Sequence, residues 1–126
     1  MQPTQGPSSA LGARGATRQV IIIKINDLPQ IARELVGFVK EVTVDANGSP
    51  NPQTQELQLS NGFTAAVSPF GHQNLVFLKI GDQGVCSFES FGDLRRGAQQ
   101  NEAGLVTLIE GSLRTELSNH PKVKLI

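Results

Sequence analysis

Residues 85–97, VCSFESFGDLRRG, bring together residue types that often do chemistry in proteins. The segment contains Cys86, which is the only cysteine of the chain, the acids Glu89 and Asp93, and the arginine pair Arg95–Arg96. A thiol beside a base suits nucleophilic catalysis, two facing carboxylates suit acid–base catalysis, and paired guanidinium groups suit anion binding. Each of these functions requires the predicted strands, helices and loops to bring a different set of side chains together.

Nucleophilic catalysis by Cys86 requires a base within hydrogen-bonding distance, and that base is usually a histidine. The chain has only two histidines, His72 and His120. A symmetric hairpin turning at Gly81–Gly84 pairs Cys86 with Lys79 and leaves His72 about 23 Å away along the strand, at about 3.3 Å per residue. We therefore interpret Cys86 as a buried, apolar side chain. A reactive thiol whose pKa is lowered by Lys79 is the alternative.

The carboxylates indicate neither a catalytic pair nor a metal site. Glu89 and Asp93 lie on either side of a predicted strand end, so they do not face each other as an acid–base pair must. The loop beginning at Asp45 matches a calcium-binding loop only in part, because Pro50 occupies the position where that loop needs glycine. A single cysteine excludes an intramolecular disulfide and any multi-cysteine metal site. We predict no catalytic residue, no metal and no cofactor.

The arginine pair is the strongest candidate for a binding site. Arg95 and Arg96 stand in a predicted loop that leads to a helix N-terminus, and both guanidinium groups and free helix N–H groups attract anions. The symmetric hairpin also places His72 opposite Asp93, close to the same loop. The predicted anion site therefore consists of Arg95, Arg96, His72 and Asp93. The alternative is that both arginines are solvated charges paired with Asp93 or Glu89.

The first third of the chain predicts one strand and one helix. Residues 19–25 contain a run of β-branched side chains and predict a strand that is buried on both faces, in the middle of a sheet. Residues 26–42 predict an amphipathic helix with Asp27 as its cap and Pro29 in its first turn. The apolar positions of this helix recur at helical spacing: Leu28, Ile31, Ala32, Leu35, Val39 and Val42.

Turn residues in the middle of the chain predict two hairpins. Asn61–Gly62 separates two alternating stretches and predicts a hairpin over residues 55–68, because both residues accept a positive φ. Residues 74–90 predict a second hairpin. Residues 91–100 are rich in polar residues and glycine, and we predict a loop there, with a loop that contains a helical turn as the alternative.

Residues 101–117 predict a second amphipathic helix, capped by Asn101, and residues 122–126 predict a final strand. The element order is then β-α-β-β-β-β-α-β. Four successive hairpin strands between two amphipathic helices are typical of the α+β class with a mainly antiparallel sheet. This order resembles that of small secretion-type chaperones and of other dimeric α+β adaptors, which is a likeness of fold order alone. The apolar side of the second helix is formed by Leu105, Leu108, Ile109, Leu113 and Leu117.

Composition disfavours several classes of function. The 126 residues include eleven basic and eleven acidic side chains. Residues 1–18 contain Arg14, Arg18 and no acid, and their Gly, Pro, Ser and Gln content predicts a disordered tail before one domain over residues 19–126. The domain is therefore slightly acidic, which makes a nucleic-acid partner unlikely by composition, and weak association through the tail is the remaining hypothesis. No apolar run is long enough for a membrane helix or a secretory signal, so we expect a cytoplasmic protein without membrane association.

These observations favour binding over catalysis. We expect a small protein-binding or assembly module, adaptor-like or chaperone-like, without catalytic activity. The apolar strands predict a sheet whose second face is covered by a homodimer contact. The alternative function is an anion-binding protein or enzyme that uses Arg95 and Arg96 near His72.

Overall fold

Three α-helices and six strands are formed in residues 20–88 and 90–126, which are the residues that the computed structural model describes. The predicted class, α+β with a mainly antiparallel sheet, is confirmed. The predicted tail, residues 1–18, lies outside the described residues. In chain order the elements are β1 (Ile21–Ile23), α1 (Leu28–Glu41), β2 (Gln55–Gln58), β3 (Phe63–Phe70), β4 (Gln73–Ile80), β5 (Gln83–Phe88), α2 (Phe91–Gln100), α3 (Glu102–Asn119) and β6 (Val123–Leu125).

The main sheet has four antiparallel strands in the order β2-β3-β4-β5. The predicted turn between β2 and β3 is confirmed, with Asn61 at φ 60° and Gly62 at φ 81°. Both values lie in the left-handed region, where glycine and asparagine pay the smallest steric cost. The carboxylate of Glu34 on α1 accepts hydrogen bonds from the Ser60 backbone N–H at 2.8 Å and from the Ser60 hydroxyl at 2.6 Å, so this turn is fixed to the helix.

The register of the second hairpin differs from the symmetric one that the sequence predicts. The strands turn at Gly81–Asp82, Lys79 pairs with Gly84, and Leu78 pairs with Cys86. Val85 is therefore an extra residue in β5, a β-bulge. The predicted pairing of Cys86 with Lys79 is wrong, because a shift of one residue moves a side chain to the opposite face of a sheet. Cys86 lies on the face that packs against the helices.

Helix α1 covers one face of the main sheet. Its predicted apolar positions are all buried, and they pack against the alternating side chains of β3 and β4. The side chain of Asp27, the predicted cap, accepts no capping hydrogen bond, and a 3-10 turn over Ile25–Asp27 leads into the helix instead. The sheet residues in this core include Phe63, Ala65, Val67, Val76 and Leu78.

Helix α3 is confirmed, and Asn101 caps it by accepting a hydrogen bond from the Gly104 N–H at 3.1 Å. Three of the five predicted apolar positions are fully buried, namely Ile109, Leu113 and Leu117. Leu108 is 62% exposed, which contradicts the prediction. The buried positions follow one another at four-residue spacing, so Leu108 is rotated by about 100° from Ile109 and points away from the core.

Helix α2 replaces the predicted loop over residues 91–100. The Ser90 hydroxyl caps it by accepting a hydrogen bond from the Asp93 N–H at 3.2 Å, and Asp93 lies in the first turn. Phe91, Leu94 and Ala98 form a narrow buried stripe at helical spacing. The sequence signal was a serine followed three residues later by an acid, which is a common helix start.

Strand β1 is confirmed as a strand, but its predicted position in the middle of the main sheet is wrong. It pairs in parallel with β6, and these two strands form a separate sheet. Ile23 is buried, whereas Val20 and Ile22 are 54% and 55% exposed. Only one side of β1 faces the core, because no second layer covers the other side within the described residues. None of the helices in those residues has the length and apolar character needed to cross a membrane.

Candidate functional site

Cys86 is buried in β5, and its interpretation as a core side chain is confirmed. Burial raises the pKa of its thiol, and the carboxylate of Glu116 on α3 raises it further by charge and by hydrogen bonding. A nucleophilic cysteine needs the opposite conditions, namely exposure and positive charge. This environment keeps the thiol protonated.

His120 holds the end of α3 against the two neighbouring strands. Its Nε2 lies 3.2 Å from the Gly84 carbonyl oxygen, and its Nδ1 accepts a hydrogen bond from the Lys122 N–H at 3.1 Å. The proton of the neutral ring therefore belongs on Nε2, where it is donated to Gly84. These bonds account for both ring nitrogens of His120.

His72 lies in the turn between β3 and β4. It lines a groove together with Asp45, Ser49 and Asn51 of the loop that follows α1. Asp93 lies in the first turn of α2, and the ladder between β4 and β5 ends at the pair Val76 and Phe88. The symmetric hairpin predicted that His72 lies opposite Asp93. The structure does not have this pairing.

Arg95 and Arg96 are in helix α2, and their side chains make different contacts. Arg95 donates a hydrogen bond from Nη1 to the Val42 carbonyl oxygen at 2.6 Å, and its guanidinium carbon lies 5.8 Å from the centre of the Phe91 ring. Arg96 is exposed and forms an ion pair with Asp93 one turn earlier. Consecutive residues of a helix point about 100° apart, so the two guanidinium groups do not form a common clamp.

The predicted anion site is thus only partly brought together. Of the contacts made by the described residues, one joins two of its members, the Arg96–Asp93 ion pair. The N-terminus of α2 has its own acceptors in Ser90 and Asp93, and a carboxylate there disfavours a second anion. The predicted pairing of an arginine with Asp93 is confirmed, and Glu89 lies outside the described residues.

We predict that Arg95 and Arg96 differ in their effect on stability. Arg95→Ala removes a charged hydrogen bond to a carbonyl at the end of α1 and a contact with Phe91, and should lower the free energy of unfolding by about 1–3 kcal/mol. Arg96→Ala removes an exposed ion pair and should change it by less than about 1 kcal/mol. Urea unfolding followed by far-ultraviolet circular dichroism measures both, and equal losses would contradict the assigned roles.

The loop that resembles a calcium-binding loop uses its polar groups internally. One oxygen of Asp45 accepts hydrogen bonds from the backbone N–H groups of Asn47 at 2.8 Å and Ser49 at 3.0 Å. Glu56, the other carboxylate of the pattern, forms an ion pair with Lys79 at 2.9 Å on the main sheet. No group of three or more potential metal ligands occurs among residues 20–88 and 90–126.

The face of the main sheet opposite the helices is a different kind of surface. Its centre consists of Ala66, Leu75 and Phe77, because Ala66 pairs with Phe77 and Leu75 is two residues away on the same strand. Phe70 continues this row to the hairpin end and is 72% exposed. Polar side chains surround the row, among them the ion pair of Lys79 and Glu56. We call this row of Ala66, Phe70, Leu75 and Phe77 the outer sheet face.

A groove runs from the outer sheet face to the edge of β5. It has a volume of about 400 Å³, and Leu75, Phe77, Ser87 and Glu116 are among its lining residues. Glu116 lies 3.4 Å from the Ser87 nitrogen and accepts its N–H, and His120 binds the Gly84 carbonyl. Helix α3 therefore occupies hydrogen-bonding groups on the β5 edge that another strand would otherwise use.

The sequence did contain a signal for the outer sheet face. Residues Leu75 to Leu78 are all apolar, so both faces of β4 carry large side chains, in contrast to the alternation of a sheet with one solvated face. The groove itself had no such signal, because Glu116 comes to β5 from a helix thirty residues away in sequence. Comparison of the chain with protein-family models, curated proteins and solved structures gives no match.

Proposed function

We propose that this protein is a small protein-binding or assembly module that forms a homodimer through its outer sheet face and has no catalytic activity. The observation that carries the proposal is the one-sided packing of the main sheet. The helices pack against one face, while the other face carries a row of apolar side chains in which Phe70 is 72% exposed and Leu75 and Phe77 are half-buried. Aromatic side chains within a polar rim are typical of protein interfaces.

The other chemically active side chains support a binding role. Cys86 is buried and protonated, both ring nitrogens of His120 are bonded, and Arg96 is paired with Asp93. Catalysis needs a nucleophile or acid–base group next to a space that a substrate can occupy. The groove beside β5 contains Glu116, whose carboxylate already accepts the Ser87 N–H.

A second copy fits the outer sheet face in size. Strands of four to eight residues at about 3.3 Å per residue and about 4.8 Å apart give a face of about 400 Å². Two such faces bury about 800 Å², which is in the range of weak and transient interfaces. We therefore expect a reversible dimer with a dissociation constant of the order of micromolar.

Residues 1–19 are a poor cover for the outer sheet face. Met1 and Leu11 are the only large apolar side chains among them. Burial of apolar area is what offsets the conformational entropy lost when a segment becomes ordered on a surface. A second copy brings Phe70, Leu75 and Phe77 to the contact, which is why we propose it as the occupant.

Sedimentation equilibrium at several protein concentrations tests the proposal. The natural chain should shift from monomer to dimer over the micromolar range. Phe77→Glu places a carboxylate at the centre of the contact, facing the same charge in the second copy, and should weaken association at least 100-fold. Leu108→Glu is the control, because it introduces the same charge at an exposed apolar position on α3, and it should associate like the natural chain.

Two results would contradict the proposed dimer. One is a natural chain that stays monomeric at about 100 μM, far above the expected dissociation constant. The other is a dimer that Leu108→Glu disrupts and Phe77→Glu does not, because the contact would then involve α3. Circular dichroism of each variant establishes that it is folded before association is compared.

A further inference from the structure

The small parallel sheet of β1 and β6 exposes a mixed apolar and basic surface. Ile22 pairs with Lys124, and alternation along the strands puts Val20 and Lys24 on the side of Ile22 and Ile126 on the side of Lys124. All five side chains are exposed. We call this surface, made of Val20, Ile22, Lys24, Lys124 and Ile126, the lysine face.

The lysine face carries positive charge that its own surroundings do not neutralise. Four ion pairs are formed among the described residues, and none of them includes Lys24, Lys122 or Lys124. Lys122, just before β6, lies 3.3 Å from the amide oxygen of Gln83, which is uncharged. The surface therefore favours a negatively charged partner, and its aliphatic side chains favour one that also has apolar groups.

Strand β1 also has an open edge next to the lysine face. The Ile21 N–H binds Lys122 O at 2.7 Å, Ile23 O accepts from Ile126 N at 2.9 Å, and the Ile25 N–H binds Ile126 O at 2.8 Å. Because successive residues of a strand direct their backbone groups to opposite sides, the N–H and C=O of Ile22 point away from β6. No strand of the described residues pairs with that side of β1.

Charge disfavours two other occupants of this edge. Residues 1–19 carry Arg14 and Arg18 and no acid, so they repel the lysines. A second copy would bring the same lysine face to the contact, and like charges that face each other across an interface weaken it. An extended polypeptide segment with acidic side chains can make all three kinds of contact. It hydrogen-bonds to the open backbone groups, pairs its charges with the lysines and packs against the aliphatic residues.

We propose that β1 takes up an extended segment of another protein as an added strand, and that this segment alternates acidic and apolar side chains. The proposal rests on the proposed function as a protein-binding module, and it concerns a surface separate from the outer sheet face. The backbone groups of Ile22 pair with the added strand, as in other cases of strand addition. Acidic side chains of the segment approach Lys24 and, across Ile22, Lys124, and their methylene groups lie over Val20 and Ile22. The apolar side chains of the segment point to the opposite face of the strand, on the side of Ile21.

The probe for this site is a fluorescently labelled nine-residue peptide of alternating Glu and Val, with capped ends. Fluorescence polarisation should show saturable binding to the full chain. A peptide of alternating Lys and Val should bind at least tenfold more weakly, because its charges oppose the lysine face. A Glu–Val peptide methylated on every backbone nitrogen should also lose at least tenfold, because it retains the charge but has no N–H group to donate to the edge of β1.

Two pairs of protein variants locate the binding. Ile22→Pro removes the outward N–H while leaving the bonds from Ile21 and Ile23 to β6, and should bind the Glu–Val peptide at least tenfold more weakly than Ile22→Ala. Lys124→Glu should weaken binding at least tenfold. Arg33→Glu, at an exposed position of α1, makes the same change in net charge and should weaken binding less than threefold. The Lys124 pair keeps the test decisive if Ile22→Pro does not fold.

Three results would overturn strand addition at β1. They are no binding of the Glu–Val peptide, equal binding of its methylated form, and equal losses with Lys124→Glu and Arg33→Glu. Binding to vesicles of phosphatidylglycerol without binding to the peptide would identify the lysine face as a membrane contact instead. Ile22→Pro and Lys124→Glu should leave the sedimentation behaviour unchanged, so failure of this proposal and failure of the proposed dimer are separate outcomes.

Discussion

Phe63→Ala is expected to lower the free energy of unfolding by about 3–5 kcal/mol. Phe63 is the first residue of β3, is only 1% exposed and packs in the core formed with α1. Removing a buried ring loses its transfer free energy and leaves a cavity that the surrounding strands and helix fill only in part. A loss of this size is a large fraction of the total stability of an ordinary domain, which is about 5–15 kcal/mol.

Phe70→Ala is the matched control for this prediction. It makes the same change at the other end of the same strand, but Phe70 is on the outer sheet face and exposed. We expect a change within about 0.5 kcal/mol when the protein is dilute enough to be monomeric. The chain has no Trp or Tyr, so far-ultraviolet circular dichroism in urea is the suitable measurement. Similar losses in both variants would contradict the assignment of the two faces of β3.

The stability of the protein should fall at alkaline pH because of Cys86. Its thiol has a raised pKa in the folded protein, through burial and the nearby Glu116 carboxylate. In the unfolded chain the thiol ionises near pH 8.5, whereas the folded protein keeps the proton. The unfolded state therefore binds fewer protons above that pH, and the free energy of unfolding should fall by up to about 1.4 kcal/mol per pH unit.

Comparison with Cys86→Ala isolates this effect. The variant has no thiol, so its free energy of unfolding should fall less steeply between about pH 9 and pH 10.5 than that of the natural chain. The absence of Tyr removes one other group that titrates in this range, and the lysines are common to both proteins. Parallel pH dependences would show that the pKa of the Cys86 thiol is not raised by folding.

Glu116→Gln tests the second cause of the raised thiol pKa. Removing the carboxylate removes the negative charge that opposes ionisation, so the thiol should react faster with iodoacetamide at alkaline pH in the folded variant. The rate should remain below that of the urea-unfolded chain, because Cys86 stays buried. An unchanged rate would indicate that burial alone raises the thiol pKa.

Local patterns predicted the parts of the fold that depend on neighbouring residues. The spacing of Leu28, Ile31 and Leu35 predicted α1, and the turn at Asn61–Gly62 predicted the first hairpin. Both signals are complete within a few residues, because helical periodicity and positive φ are properties of a short segment. The buried state of Cys86 was also predicted, whereas its predicted pairing with Lys79 was wrong, because the structure pairs it with Leu78.

The predicted anion site was wrong in most of its contacts, because the sequence prediction assumed two structural features that the protein does not have. It depended on a loop at residues 91–100, where the structure has α2, and on a hairpin without the bulge at Val85. In a helix, the side chains of the consecutive residues Arg95 and Arg96 point in different directions. In the hairpin, a shift of one residue in the pairing changes which side chains share a face. Neither effect is visible in composition or spacing.

The sequence by itself determined the α+β class, helices α1 and α3, the hairpins and the apolar character of both faces of β4. Only the tertiary structure decided that β1 pairs with β6, that α3 covers the edge of β5, and that Lys24 and Lys124 lie on one surface. These contacts join residues that are 29 to 102 positions apart. Which elements pair or pack together depends on the packing of all helices and strands, and a short segment of sequence does not contain that information.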